Sequence, residues 1–143
     1  MEHFSTRDLI IETVNKLFVY TDRQDWAKLQ DEVFAGDVLF DMSSLGGEKR
    51  TIAAREICEM WQKGFEGIDQ VNHLAGNYLV TIAADQADVF AYATATHYKK
   101  AAVNGVREFV GTYDIHLVFQ ENGWRIDRFR YDLKYMNGNL ELT

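Results

Sequence analysis

The chain has 143 residues, 47% of them hydrophobic and 13% aromatic, with a formal net charge of −7 and a sequence pI of about 5.0. That length suits one ordinary domain, 1–143, able to bury a core without staples. The acidic balance, with basic groups confined to Lys99-Lys100 and Arg125 to Arg130, argues against nucleic acid and anionic membrane surfaces as partners. A lone cysteine, Cys58, rules out an internal disulfide. No apolar run is long enough to cross a membrane. Met1-Glu2-His3-Phe4-Ser5 lacks the basic and apolar segments of a secretory leader, so the expected location is cytoplasmic.

Ser5-Thr6-Arg7-Asp8 resembles a capping box with Asp at its last position. Behind it Leu9, Ile10, Thr13, Val14, Leu17 and Phe18 recur at helical spacing. This predicts a first helix from about Thr6 to Asp22, with Asp22 facing solvent at its end. Asp25 then caps a short helix, Trp26 to Glu32. A brief strand, Val38 to Met42, leads into a loop over Ser43 to Arg50. Thr51 caps a third helix, whose apolar members are Ile52, Ile57, Met60, Trp61 and Phe65; Gly64 and Gly67 mark its end. Cys58 falls on that amphipathic pattern, which suits a buried thiol.

Beyond Asp69 the pattern turns to strands. Val71 to Ile82 is a β-rich run. From Asp88 to Tyr98 large and small residues alternate, with Val89, Ala91, Ala93, Ala95 and His97 sharing one face. Asn104-Gly105 signals a hairpin. Arg107 to Gln120 alternates again, and Glu121-Asn122-Gly123 turns the chain into a last strand, Trp124 to Tyr135. Leading helices followed by long antiparallel strands argue an α+β fold. Bulges at Gly76 or Gly111 would bend the strands. A curved sheet wrapped round a helix forms a cone with an open pocket.

Three side chains carry acid–base potential: Tyr20, Asp25 and His73. An imidazole titrates near neutrality. A carboxylate on one ring nitrogen fixes the other toward a substrate, and a phenol can polarise a carbonyl oxygen. Each has a plainer role: a strand histidine bonded to a carbonyl, a helix cap, a core ring. Trp61, Tyr113 and Phe40 are pocket-wall candidates, and His97 a further polar one. His73, His97, His116 and Asp41 lack metal-ligand spacing, so no metal is expected. Arg128 and Arg130 suit surface ion pairs better than a substrate contact. No phosphate loop, dinucleotide fingerprint or nucleophile elbow occurs.

Tyr20-Thr21-Asp22-Arg23-Gln24-Asp25-Trp26, Val71-Asn72-His73-Leu74-Ala75-Gly76-Asn77, Ala95-Thr96-His97-Tyr98 and Gly123-Trp124-Arg125-Ile126 together resemble the SnoaL-like branch of the nuclear transport factor 2-like superfamily. That branch includes polyketide cyclases, scytalone dehydratase and bile-acid 7α-dehydratase. The resemblance implies a cone-shaped α+β barrel, with N-terminal helices packed in a strongly curved antiparallel sheet. It also implies a catalytic trio at Tyr20, Asp25 and His73, with His97 corresponding loosely to a second polar group in the cone. Family relatives that only bind or assemble keep other roles open.

Three functions follow as expectations. The first is a cofactor-independent dehydratase or isomerase, moving protons on a hydrophobic carbonyl or hydroxy-carbonyl compound of polycyclic or steroid-like size. The second is a hydrophobic-ligand carrier using the same pocket without turnover. The third is an interaction domain. Apolar residues on both strand faces predict a homodimer through the outer sheet face in every case.

Overall fold

A computed structural model describes residues 3–121 and 123–143. Helix α1 (Thr6–Asp22) starts at the capping box: Asp8 N–H donates to the Ser5 hydroxyl and Ser5 N–H to the Asp8 carboxylate. Its buried stripe is Ile10, Thr13, Val14, Leu17, Phe18 and Thr21, a spacing of three and four that places one face against the sheet. After Arg23 the chain reverses through Gln24, which takes φ 55°. A short α2 (Trp26–Lys28) runs on into a π-helical turn, Leu29–Val33.

Strand β1 (Phe34–Asp41) begins four residues earlier than the sequence predicts. A 3₁₀ turn, Ser43–Leu45, then leads to β2 (Lys49–Ala53) and α3 (Ala54–Gly64). Thr51 is therefore a strand residue. Helix α3 starts at Ala53, with no side-chain cap. Pairing with β1, residue by residue from Asp37–Ala53 to Asp41–Lys49, draws the Lys49–Ala53 stretch out of the expected loop and helix start. Cys58 is buried in α3. Burial pushes its thiol up to about 11, which leaves it unreactive near neutrality.

Four long strands complete the chain: β3 (Gln70–Ala83), β4 (Gln86–Tyr98), β5 (Val106–Gln120) and β6 (Gly123–Gly138). The expected turn at Glu121-Asn122-Gly123 includes Asn122, which lies outside the described residues. The sheet order is β2-β1-β6-β5-β4-β3. Most neighbours are antiparallel, but β1 runs parallel to β6. The sheet is thus a mixed, curled sheet, where an antiparallel barrel was expected.

Register shifts mark the bends. One falls between Gly76 and Leu79 on β3, where Asn77 takes φ 55°. Two more insert Lys134 and Asp127 as extra residues on β6. Such bulges deepen strand twist. On the inner face β4 presents Ala87, Ala91, Ala93 and Ala95, all buried. These short side chains leave room beneath the helices, and Ala95 lines the hollow that results.

Candidate functional site

That hollow has a volume of about 180 Å³ and lies between the end of α1, α3 and the inner faces of β3 to β6. Its walls are apolar: Leu17, Phe18, Trp61, Phe109, Tyr113 and Phe129 among others. His73 and His97 bring polar atoms to it.

His73 is held from two directions. Its ring stacks on Phe18, with centroids 5.5 Å apart. Its Nδ1 lies 2.6 Å from Asp22 Oδ1, while its backbone N–H donates to Asp22 Oδ2 at 2.8 Å. A carboxylate can only accept, so Nδ1 carries the proton and Nε2 is the free acceptor of the neutral ring. Side-chain exposures of 11% for His73 and 18% for Asp22 keep the pair largely out of water, where such a bond is stronger than at the surface.

Asp22, not Asp25, is the histidine's partner. The reason is helical geometry. Asp22 is four residues after Phe18, so it stands one turn further along the face that meets His73. Asp25 lies past the helix end and past the Gln24 reversal. Its carboxylate accepts from Lys28 N–H at 3.2 Å as the cap of α2, and Lys28 Nζ stands 4.0 Å away. The expected plain role of Asp25 is the one the coordinates display. The expectation that Asp22 faces solvent is corrected.

Tyr20 points to another side of α1. It packs against the core edge under Lys28, whose Nζ sits 5.4 Å from the ring centre, and it does not line the hollow. Phe40 is buried one layer behind the wall, stacked on Phe129 at 5.4 Å and tilted against Trp61 at 6.0 Å. Trp61 and Tyr113 are wall residues themselves. Tyr113 meets Phe18 edge-on at 5.1 Å, and burial drives its phenol far upward, aided by Tyr131 and Asp22.

His97 faces inward, in the alternation of β4. Arg107 Nε donates to its Nδ1 at 3.0 Å. A guanidinium has no acceptor, so Nδ1 is bare and the proton resides on Nε2. Burial first, then the Arg107 charge, then His73, lower the His97 pKa to about 4. The two cavity histidines thus hold opposite tautomers. His73 offers an acceptor and His97 a donor.

Tyr131 is 3% exposed and its ring lines the hollow; its hydroxyl is buried, with no partner among the described residues. Burial pushes its phenol up to about 12. A Cβ on Gly111 would stand 2.5 Å from that hydroxyl, so the glycine makes the space the hydroxyl fills. The sequence signal was the alternation of β6, where Phe129 and Tyr131 fall on one face.

His116, Arg128 and Arg130 lie on the outer face. They line a separate groove with Asp114 and Asp41. Arg130 bonds Asp114 at 2.7 Å and Asp132 at 3.0 Å, the surface pairing expected of it. Asp41 accepts from the Ser43 N–H and hydroxyl, which lowers its pKa.

Comparison with known proteins agrees with this architecture. The SnoaL-like domain family matches residues 2–130. The Kfla4162 protein from Kribbella flavida is 25% identical, with 95% of each chain covered and a TM-score of 0.88. An NTF2-like protein from Cytophaga hutchinsonii is 16% identical, covering 91% of this chain and 99% of its own, at 0.70. Hexachlorocyclohexane dehydrochlorinase LinA-type3 from Novosphingobium barchaimii is 11% identical, covering 94% and 90%, at 0.78. The last two likenesses are of fold. Among curated proteins none matches the chain. Among the described residues no helix is long and apolar enough to cross a membrane.

Proposed function

Because the chain belongs to the SnoaL-like family, we propose that it is a cofactor-independent dehydratase or isomerase. It acts by proton transfer on a small hydrophobic carbonyl or hydroxy-carbonyl compound. The observation that carries this reading is the Asp22–His73 pair, 2.6 Å apart at the wall of an apolar hollow. The fold likeness to a dehydrochlorinase supports an elimination-competent scaffold and nothing finer.

In the proposed reaction His73 Nε2 removes a proton from the carbon beside the carbonyl. Asp22 keeps Nδ1–H and stabilises the imidazolium. The electron pair moves onto the carbonyl oxygen as an enolate. In dehydration the imidazolium returns its proton to a β-hydroxyl, which leaves as water as the double bond forms. In isomerisation the proton returns to a different carbon. Neither route needs a nucleophile or an external oxidant. The oxygen-polarising role expected of Tyr20 passes to His97 Nε2–H, the donor that lines the hollow.

The test follows exchange of protons beside the carbonyl into deuterated water, by NMR, over a panel of cyclic ketones and hydroxy-ketones. Wild type should catalyse exchange or elimination, and His73→Ala should lose it. Absence of turnover by wild type across the panel, or equal turnover by the variant, overturns the proposal. A ligand that binds and emerges unchanged would favour the carrier role.

We also propose a homodimer through the outer sheet face. Leu74, Leu79, Tyr92 and Tyr135 are all exposed there, Leu74 at 74%. An apolar strip this exposed favours a partner. A monomer by light scattering at micromolar concentration overturns it.

A further inference from the structure

The hollow specifies its ligand more narrowly than the reaction does. We propose that it takes a single-ring compound bearing an oxygen function, with His97 Nε2–H as the hydrogen-bond donor to that oxygen. This deepens the acid–base reading and concerns the same site.

Size is the first argument. The hollow is about 180 Å³. An apolar cavity of about 150 Å³ accommodates benzene, so this volume suits one ring with a small substituent. Fused rings of the kind expected from the sequence exceed it. The walls brace one another: Phe129 meets Trp61 edge to face at 5.9 Å and is tilted against Tyr113 at 5.3 Å. Tyr113 also packs on Tyr131 at 4.8 Å. Aromatic walls that brace one another do not retreat cheaply to admit a second ring.

The second argument is the donor. His97 lines the hollow and is set as a donor, because Arg107 occupies its Nδ1. Arg107 is a positioning residue here. Its NH1 also donates to the Leu140 carbonyl at 3.1 Å, which anchors the guanidinium. A donor at apolar walls selects an oxygen acceptor over a pure hydrocarbon.

Three probes test this by isothermal titration on the full chain: p-cresol, toluene and 2-naphthol. p-Cresol should bind about ten-fold more tightly than toluene. It should also bind more tightly than 2-naphthol, although the larger apolar area of 2-naphthol would otherwise favour it. Arg107→Met, which leaves Nδ1 without a donor, should shrink the cresol-over-toluene preference several-fold while leaving toluene affinity as it was, with unfolding curves checking that the variant is folded. Tighter binding of 2-naphthol overturns the size argument. Equal binding of cresol and toluene by wild type overturns the donor argument, whatever the variant does. No binding by any probe overturns both. These outcomes are separate from turnover: the proton-transfer reading fails on His73→Ala kinetics, this one on wild-type affinities.

Discussion

Two aspartate–histidine pairs of equal length lie on the two faces of the sheet, and only one of them borders the apolar hollow. Inside, His73 Nδ1 meets Asp22 at 2.6 Å; outside, His116 Nδ1 meets Asp127 at 2.6 Å. The difference lies at the other nitrogen. His116 Nε2 is taken by Gln86 Oε1 at 3.1 Å, in a groove shared with Asp114, Arg128 and Arg130. Both ring nitrogens of His116 are spent on structure. The second nitrogen of His73 is left for the apolar hollow. A histidine–carboxylate pair is therefore no evidence of catalysis by itself. What matters is a free nitrogen and an enclosed volume beside it.

Substitution of each pair breaks or upholds this contrast with the largest effect expected. His73→Gln should lower turnover by about 10²–10⁴-fold, the usual contribution of a positioned acid–base group. His116→Gln should leave it within a factor of two or three. Asp22→Asn sharpens the point. An amide can donate to Nδ1, which would move the ring proton to Nε2 and remove the base, again at about 10²–10⁴-fold. ¹⁵N shifts of the His73 ring report the tautomer directly. Asp25→Asn, which keeps a good helix cap, should change turnover little. Equal losses at residues 73 and 116 would end the distinction drawn between the faces.

The next effect is on stability and belongs to the inner face. His97 has a pKa of about 4 in the fold against an ordinary 6.5. Above pH 6.5 neither folded nor unfolded imidazole is charged, and the stability is whole. Between 6.5 and 4 the unfolded chain takes up a proton that the fold refuses, so stability falls as pH falls. The full loss is about 3 kcal/mol. Urea unfolding at pH 7 and pH 4.5 measures it. His97→Gln, which can still accept from Arg107 and still donate, should flatten that slope while lowering stability at pH 7 only modestly. An unchanged slope would mean that His97 is not the group responsible.

Much of this was legible in the sequence. The stripe of α1, the capping box and the alternation of β4 and β5 follow from period and spacing; which way His97 faces turns on a one-residue register that only the structure supplies. The sequence points to Asp25 at the end of α1 where the structure pairs Asp22 with His73, because the choice turns on where the helix stops. Both Asp22 and Asp25 lie near the Tyr20-to-Trp26 turn. The Phe18-to-Asp22 spacing was available as a signal, and only the Gln24 reversal settles that Asp25 leaves the face. Strand β2 was hidden for a different reason. Lys49 to Ala53 is too short and polar to declare itself, and it becomes a strand only by pairing with β1.

The smallest expected effects compare two glycines facing opposite sides of the sheet. At Gly111 a Cβ would collide with the Asp132 carbonyl and stand 2.5 Å from the Tyr131 hydroxyl. The carbonyl belongs to a paired strand and cannot swing aside, so the tyrosine or the strand must shift. Gly111→Ala should cost about 1–3 kcal/mol and lower the melting temperature accordingly. Gly76 pairs with Tyr92, and a Cβ there meets nothing within 4 Å. Its φ is not positive, so Gly76→Ala should be neutral or stabilise by about 0.4–1 kcal/mol through the unfolded chain. Thermal unfolding of the two variants side by side decides it. If Gly111→Ala melts with wild type, the inner face is looser than the braced walls require, and a second ring in the hollow becomes admissible. If Gly76→Ala is the damaging one, the outer face at β3 is already covered, as the proposed dimer would have it.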